Sequence, residues 1–360
     1  MIDAGRAAPA DGPDTTGRSV HVVLPGDIDD PAAPSGGNTY DRRICAGLGE
    51  QGWSVREHPV SGAWPDPDPA DRAKLVEVLA ALPDDGVVLL DGLIASTVPD
   101  LLVPHARRLR LVILVHLPLD DEAEARALAT ARAVVTTSEW TRRHVVTRHR
   151  DLADRVRAAP PGVRPAPAAP GSVTGKRLLC VAAVTHHKGY DVLVDALSTV
   201  VGLPWTMVCA GTLHREPDLV RRLRERLTGA GLTERVRFAG PLTGAALDAA
   251  YDDADLLVLP SRGETYGMVV TEALARGLPV LATEVGGLPE ALGYAPDGDR
   301  PGLLVAPDDA AALAGALISW LTDDALRVRL RRAALARRDT LTDWPVTTAL
   351  LAAALEEVAG

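Results

Sequence analysis

The chain has 360 residues, which exceeds one ordinary hydrophobic core and suits two domains of about 150 residues each. Its net charge of −10 and its aromatic content of 3% argue against nucleic acid as the main partner. The three cysteines, Cys45, Cys180 and Cys209, are widely spaced in apolar segments. They indicate buried, reduced thiols and a cytoplasmic location, not a disulfide framework or a metal site.

The order of apolar and helical patterns predicts the domain organisation. Residues 1–18 are rich in Ala, Pro, Gly and Asp and lack the apolar core of a signal peptide, so we expect a disordered leader. From residue 19 onward, short apolar runs typical of buried parallel strands alternate with helical patterns. A Pro/Ala/Gly-rich stretch interrupts the alternation, and residues 164–175 within it are predicted to be a stiff linker. The pattern therefore predicts an α/β fold with two domains, residues 19–163 and residues 176–342.

A glycine pair follows the first predicted strand, residues 19–25. After a short loop, Gly36 and Gly37 open a helix. This arrangement can bind anions, because glycine lets backbone N–H groups approach a phosphate closely. The turn lacks the G-x-G-x-x-G pattern, and no acidic residue ends the next strand, which argues against a nicotinamide dinucleotide. A Gly-Gly pair by itself is more often only a tight turn.

Two residues lie just beyond predicted strands, where open α/β sheets bind ligands. His116 directly follows an apolar run, and Lys188 occupies a strand-to-helix turn and precedes Gly189. The Lys188 ammonium at a helix N-terminus can add to a phosphate site. Both residues could also have ordinary structural roles. His116 could hydrogen-bond to a loop carbonyl, and an exposed lysine is ordinarily solvated.

An arginine cluster marks the helix predicted to begin at residue 138. Such a cluster is usually a solvated helix face. The alternative is a contact with an anionic acceptor or a peripheral contact with a membrane surface. The arginines in question are Arg142, Arg143, Arg148 and Arg150.

Residues 261–290, SRGETYGMVVTEALARGLPVLATEVGGLPE, carry two glutamates eight positions apart. Glu264 lies in the loop before a predicted helix and Glu272 lies inside it, so the two carboxylates could hold opposite ends of one elongated ligand. Unpaired first-turn N–H groups and the helix dipole would attract its oxygen-rich or anionic groups. These N–H groups belong to Thr265, Tyr266, Gly267 and Met268. In the simpler reading, Glu264 caps the helix and Glu272 is a solvated surface residue.

Taken together, these features resemble the donor-sugar site of the retaining glycosyltransferases of family 4, which carry an E-x7-E signature on this element. The resemblance implies the GT-B fold, in which two Rossmann-like, doubly wound parallel-sheet domains face an interdomain cleft. It also implies that the C-terminal helix, within residues 343–360, packs back on the first domain. The implied reaction moves a hexose-type sugar from a nucleoside-diphosphate sugar to a hydroxyl acceptor, a natural product or a cell-envelope precursor. No metal or other cofactor is required in that scheme.

The resemblance also assigns roles to residues of this chain. It makes His116, Glu264 and Lys188 the catalytic candidates, with sugar hydroxyls on Glu264 and His116. It assigns the ribose hydroxyls to Glu272 and places the nucleobase near Gly240. The diphosphate is assigned to Lys188 and to the N–H groups at Gly36, Gly37, Glu264, Thr265, Tyr266, Gly267 and Met268. Asn38 and Tyr40 are the acceptor-binding candidates.

One expected phosphate contact is missing from the family pattern. An arginine is common five positions before the lysine, and this chain has Ala183 there. Arg262, His186 or His187 could replace it. The missing arginine favours a non-catalytic nucleotide-sugar-binding homologue, whereas the two glutamates, Lys188 and His116 argue against one. Two enzymes of similar architecture stay open as alternatives: a nucleoside-diphosphate-sugar epimerase and a phosphorylase with a lysine-bound pyridoxal cofactor.

Overall fold

The computed structural model describes residues 18–32 and 34–360, so the predicted leader lies outside the described residues except for Arg18. The described chain forms two six-stranded parallel sheets with helices packed on their faces. We call the residues around the first sheet the first unit and those around the second sheet the second unit. Two doubly wound α/β units are what the sequence predicts, and the structure confirms this.

In the first unit the strands follow the order β2-β1-β3-β4-β5-β6. The strands are β1 (Ser19–Pro25), β2 (Ser54–Val60), β3 (Val87–Asp91), β4 (Arg110–Val115), β5 (Ala133–Thr136) and β6 (Val156–Ala158). The helices are α1 (Gly36–Glu50), α2 (Pro69–Ala81), α3 (Gly92–Ala95), α4 (Pro99–Leu102), α5 (Glu122–Thr130) and α6 (Glu139–Arg148). The sequence also predicts a short helical piece around residues 97–108, and the structure has two short helical segments there. Pro99 and Pro104 divide that region into α4 and a 3-10 turn at Val103–His105.

In the second unit the order is β12-β11-β10-β7-β8-β9. Its strands are β7 (Arg177–Val181), β8 (Thr206–Ala210), β9 (Val236–Gly240), β10 (Leu256–Leu259), β11 (Val280–Thr283) and β12 (Gly302–Val305). Its helices are α7 (Tyr190–Thr199), α8 (Pro217–Gly229), α9 (Gly244–Asp253), α10 (Met268–Ala275), α11 (Leu288–Leu292), α12 (Ala310–Thr322) and α13 (Asp324–Arg338). Lys188 ends a single 3-10 turn, His186–Lys188.

Each sheet is buried on both faces, which is why its central strands read as continuous apolar runs. In β3, for example, Val88 and Leu90 point into one core while Val87 and Leu89 point into the other. Every residue of β3, β10 and β11 is buried. Polar side chains near these strands therefore concentrate just beyond the strand ends, where the candidate site lies.

The last helix, α14 (Trp344–Ala359), packs against α1 and the central strands of the first unit. Leu351 and Leu355 of α14 share a core with Ile44 and Leu48 of α1. The chain thus crosses between the units twice, and the two crossings touch: the Val163 N–H donates a 2.9 Å hydrogen bond to the Thr342 carbonyl. Residues 159–172, which contain most of the predicted linker, form neither helix nor strand.

Two glycines of α1 test this packing. A Cβ built on Gly47 would lie 2.4 Å from Thr348 Oγ1 of α14, whereas one built on Gly49 meets nothing within 4 Å. We expect Gly47→Ala to lower the free energy of unfolding by about 1–3 kcal/mol through overpacking. Gly49→Ala should be neutral or stabilising by up to about 1 kcal/mol. Urea unfolding of both variants measures the difference, and equal effects would contradict the α1–α14 contact.

Candidate functional site

The strand orders place the candidate residues at one edge of each sheet. The direction of winding reverses between β1 and β3 in the first sheet and between β7 and β10 in the second. Ligands of open α/β sheets bind at such switch points, beyond the carboxyl ends of the strands. The glycine pair follows β1, Lys188 follows β7 and Glu264 follows β10. Each of these predicted site residues therefore belongs to a connection that leaves a switch point.

Contacts between the units bring these connections together. A Cβ built on Gly36 would lie 3.6 Å from Sδ of Met268, so the N-terminus of α1 faces the N-terminus of α10 across the cleft. A Cβ built on Gly37 would lie 3.5 Å from the His116 ring. The structure thus gathers Gly36, Gly37, His116 and Met268 into one place.

The loop before α10 is shaped by close backbone contacts. A Cβ on Gly286 would lie 1.8 Å from the Glu264 carbonyl oxygen, so only glycine fits there. The Gly287 N–H donates a 2.8 Å hydrogen bond to the same oxygen. Within the described residues the loop's four N–H groups predicted to bind a ligand donate no hydrogen bond; they are those of Thr265, Tyr266, Gly267 and Met268. The Tyr266 side chain is buried in the core, which leaves its backbone as the part that can reach a ligand.

Lys188 and Glu264 form an ion pair in the cleft. Lys188 Nζ donates a 2.6 Å hydrogen bond to Glu264 Oε1, which also accepts a 2.9 Å bond from Ser261 Oγ. The two side chains are 24% and 13% exposed, so the pair is partly desolvated yet reachable. Glu264 is therefore held by two donors, and a ligand that enters here would compete for Lys188.

Glu272 is held by groups that the sequence does not single out. The Tyr251 hydroxyl donates a 2.8 Å hydrogen bond to Glu272 Oε2, and Tyr251 itself is fully buried. Burial raises the pKa of the Glu272 carboxyl, while the Tyr251 hydrogen bond and nearby Arg276 act in the opposite direction. The Arg276 guanidinium stacks 4.6 Å above the Tyr251 ring. Glu272 is thus a fixed, largely buried carboxylate.

His116 lies against two buried carboxylates. Its Nε2 donates a 2.8 Å hydrogen bond to Asp41 Oδ1 and lies 3.8 Å from Asp91 Oδ2. Burial alone would lower the pKa of His116, but the charges of Asp41 and Asp91 outweigh it and raise that pKa to about 9. Burial and the neighbouring Asp41 raise the pKa of Asp91. Donor atoms of these three residues lie within 4.8 Å of one another, a spacing that a cation could use. The 2.8 Å distance between Nε2 and Asp41 Oδ1 also fits a hydrogen-bonded ion pair.

The two acceptor-binding candidates, Asn38 and Tyr40, differ in their exposure. Tyr40 is 1% exposed, and its hydroxyl donates a 2.8 Å hydrogen bond to the Ala159 carbonyl. The predicted contact between Tyr40 and an acceptor is therefore corrected: the side chain supports the core and the His116 ring. Asn38 is half-buried and lines a cavity of about 380 Å³ that residues of the first unit form, with Thr243 as its one lining residue from the second.

The residues that could replace the arginine missing at Ala183 differ in whether they are already paired with carboxylates. Arg262 is held by both Asp191 oxygens, at 2.8 and 2.9 Å, and by Asp308 at 2.7 Å. It is therefore committed to carboxylates. A Cβ on Gly263 would lie 2.8 Å from Cε1 of His187, which places that histidine beside the loop that carries Glu264.

Glu290 joins the two units, a role that the sequence does not reveal. It follows the glycine pair of the second unit, and its carboxylate accepts hydrogen bonds from the backbone N–H groups of Glu139 and Trp140, at 2.9 and 3.0 Å. Those N–H groups open α6 in the first unit. A carboxylate at a helix N-terminus is favourable because it satisfies unpaired donors and meets the positive end of the dipole. Glu290 thus caps a helix of the other unit.

The arginine cluster is partly neutralised. Arg142 pairs with Glu139, and Arg148 pairs with Asp120 at 3.1 Å. Such pairing is typical of a solvated helix face. None of the helices described is long and apolar enough to cross a membrane.

The fold is that of known GT-B structures. The chain superposes on sucrose-phosphate synthase from Thermosynechococcus elongatus with a TM-score of 0.78 and 21% identity, covering 94% of this chain and 98% of that one. The Anabaena protein HepE, solved in complex with UDP and glucose, superposes with a TM-score of 0.72 and 18% sequence identity. That superposition covers 94% of this chain and 100% of HepE. The predicted GT-B architecture is therefore confirmed.

Sequence comparisons match part of the chain. Residues 175–323 match the family model "Glycosyl transferases group 1", which spans most of the second unit. A D-inositol 3-phosphate glycosyltransferase of Acidothermus cellulolyticus is 35% identical over 234 residues, which are 59% of this chain and 50% of the relative. The match thus spans about half the length of that relative. The second unit is similar to this group of glycosyl transferases.

The bridge made by Glu290 can be measured by amide exchange. The N–H groups of Glu139 and Trp140 have no partner inside α6, so their protection depends on the Glu290 carboxylate. We expect Glu290→Ala to speed their exchange by about 10- to 150-fold, because hydrogen bonds to charged groups contribute about 1.5–3 kcal/mol. Glu234→Ala, at an exposed position of the second unit, is the control. Unchanged exchange at both amides would show that the bridge does not form in solution.

Proposed function

We propose that this chain is a retaining glycosyltransferase that moves a hexose-type sugar from a nucleoside-diphosphate sugar to a hydroxyl group. One observation carries the proposal: the N-termini of α1 and α10 face each other across the cleft. Their unpaired N–H groups can bind a diphosphate from both sides. The sequence similarity of the second unit to glycosyl transferases group 1 supports this choice.

The donor occupies the second unit in this proposal. The ribose hydroxyls bind Glu272, because a carboxylate accepts hydrogen bonds from both hydroxyls of a vicinal diol. The nucleobase lies near Gly240, at the end of β9, where a Cβ would meet nothing within 4 Å. In the donor complex Lys188 pairs with the diphosphate instead of Glu264. The Glu264 carboxylate then accepts hydrogen bonds from the sugar hydroxyls.

The positive groups around the diphosphate account for the transfer step in this proposal. As the bond between sugar and phosphate breaks, negative charge grows on the diphosphate, and Lys188 with the helix N–H groups stabilises it. Glu264 keeps its hydrogen bond from Ser261 when Lys188 moves to the diphosphate, and in this proposal it binds the sugar hydroxyls and is not a nucleophile. The acceptor hydroxyl then attacks the same face of the sugar, and the leaving phosphate takes its proton.

The acceptor bears a hydroxyl group and enters beside Asn38. A natural product and a cell-envelope precursor are the classes we propose. The names of two similar proteins specify phosphorylated compounds, D-inositol 3-phosphate and sucrose phosphate. A polyol or sugar phosphate therefore belongs among the acceptors to be assayed.

A nucleotide-sugar-binding protein without activity is the second candidate. Ala183 removes one phosphate contact, and Arg262 is committed to Asp191 and Asp308. Such a protein would bind the donor but would not transfer the sugar. Turnover separates it from the enzyme.

A thermal-shift screen with UDP-, GDP-, ADP- and dTDP-sugars tests the donor site. A donor at 100 times its Kd should stabilise the chain by about 2.7 kcal/mol. Glu272→Ala should abolish most of that stabilisation, because it removes the ribose-binding carboxylate. Glu225→Ala, an exposed position on α8, should leave it unchanged. If no nucleotide sugar raises the melting temperature, the proposed function is wrong.

The stereochemistry and metal dependence of turnover test the mechanism. With the donor found in the screen, NMR of the product should show the anomeric configuration of the donor. The rate should persist in EDTA, because fixed N–H groups and Lys188 replace a metal at the diphosphate. Inversion would contradict same-face attack. Loss of activity in EDTA with rescue by Mn²⁺ would contradict the metal-free scheme.

A further inference from the structure

Three side chains converge beneath the glycine turn of the first unit. Asp41 comes from α1, Asp91 ends β3 and His116 follows β4. Both carboxylates are buried, with 3% and 4% of each residue exposed. Asp91 Oδ1 accepts a hydrogen bond from the Leu93 N–H at 2.5 Å, and Asp41 Oδ2 has no partner among the described residues. Two buried carboxylates need compensating positive charge.

The His116 ring is fixed on several sides. The Tyr40 ring meets it edge-on with centroids 5.3 Å apart, and Gly37 would place a Cβ 3.5 Å from its Cγ and Cδ2 atoms. Nε2 is engaged by Asp41. Nδ1 has no partner among the described residues, and the side chain is 14% exposed. Nδ1 is therefore the ring nitrogen available to a ligand in the cleft.

The charge of the ring decides what Nδ1 can do. A neutral ring that keeps its proton on Nε2 offers a lone pair at Nδ1 and can act as a base. A cationic ring carries a proton on Nδ1 and can only donate. The titratable groups that face the ring are Asp41 and Tyr40 from α1 and Asp91 from β3. Burial raises the pKa of Tyr40, so it stays neutral, and the two carboxylates favour the cation.

We propose that Asp41 and Asp91 are positioning residues that keep His116 cationic, so that Nδ1–H donates a charge-assisted hydrogen bond to an oxygen of the bound donor. Asp41 fixes the ring through Nε2, and Asp91 adds negative charge behind it. His116 then stabilises negative charge on the donor and removes no proton from the acceptor. The identity of the ligand rests on the proposed function, whereas the state of the ring does not.

NMR of the chain labelled with ¹⁵N-histidine tests the ring directly. His116→Gln assigns its signal among the nine histidines. At pH 7.5 we expect both ring nitrogens of His116 to be protonated. Asp41→Asn keeps an acceptor for Nε2–H but removes the charge, so its ring should titrate at least one pH unit lower. Asp91→Asn should shift it in the same direction by less, and Asp151→Asn, at an exposed position, should not shift it.

Three NMR results would overturn the proposal. The first is a neutral His116 ring at pH 7.5 in the unmodified chain. The second is an unchanged His116 titration in both Asp41→Asn and Asp91→Asn. The third is loss of the Nε2 proton on addition of Zn²⁺ at micromolar concentration, which would make the cluster a cation site.

Kinetics with the donor identified by the screen test the consequence for turnover. The kcat/KM of the unmodified chain should fall as pH rises through about 9, where His116 loses its proton. In Asp41→Asn that fall should move to lower pH by the same interval as the NMR titration, with activity recovered near pH 6. A purely structural role would lower the rate equally at every pH and would overturn the proposal. If no donor is bound or turned over, the proposed function fails, while NMR still decides the state of His116.

Discussion

The close approach of two helix N-termini is the constraint on which the rest of the cleft depends. Gly36 opens α1 and Met268 opens α10, and a Cβ built on Gly36 would lie 3.6 Å from Met268 Sδ. Both ends carry unpaired N–H groups and a positive dipole, so placing them face to face is unfavourable without negative charge between them. The nearby carboxylates Glu264 and Asp41 are already paired with Lys188 and His116. A bound diphosphate would supply the negative charge in a complex.

The same balance explains why the acidic residues of the cleft are paired. Glu264 holds Lys188, Asp41 holds His116, and Glu290 holds the N-terminus of α6. The first two cations belong to different units, and the third contact joins the units. The three pairs are separate contacts, two within the units and one between them. A ligand that binds Lys188 would compete with Glu264 for it.

Periodicity is enough to predict the sheets, because strands buried on both faces are continuous apolar runs. It also predicts which residues follow the strands, and His116, Lys188 and Glu264 lie there. The partners Asp41, Tyr251 and Glu290 escape prediction because each contact spans 21 to 151 positions of sequence. Asp91 could have been found by the rule applied to His116, since it ends an apolar strand.

The acceptor contact predicted for Tyr40 is wrong for a different reason, because the local sequence already indicates that its side chain is buried. It lies four positions before Ile44 and eight before Leu48, so helical spacing places it on the buried face of α1. The prediction of an acceptor contact rests on the family resemblance and takes no account of this periodicity. Its burial is nevertheless part of the site, because the Tyr40 ring supports His116.

The missing arginine gives the two units unequal parts in the proposed reaction. Ala183 brings no charge to the second unit, and Arg262 is held by Asp191 and Asp308. Lys188 is then the formal cation that this unit offers directly beside Glu264. A departing diphosphate carries more negative charge than one ammonium group balances, so the remainder must come from helix dipoles and from the first unit. In the proposal above, His116 is held as a cation by Asp41 and is the residue of the first unit that adds positive charge.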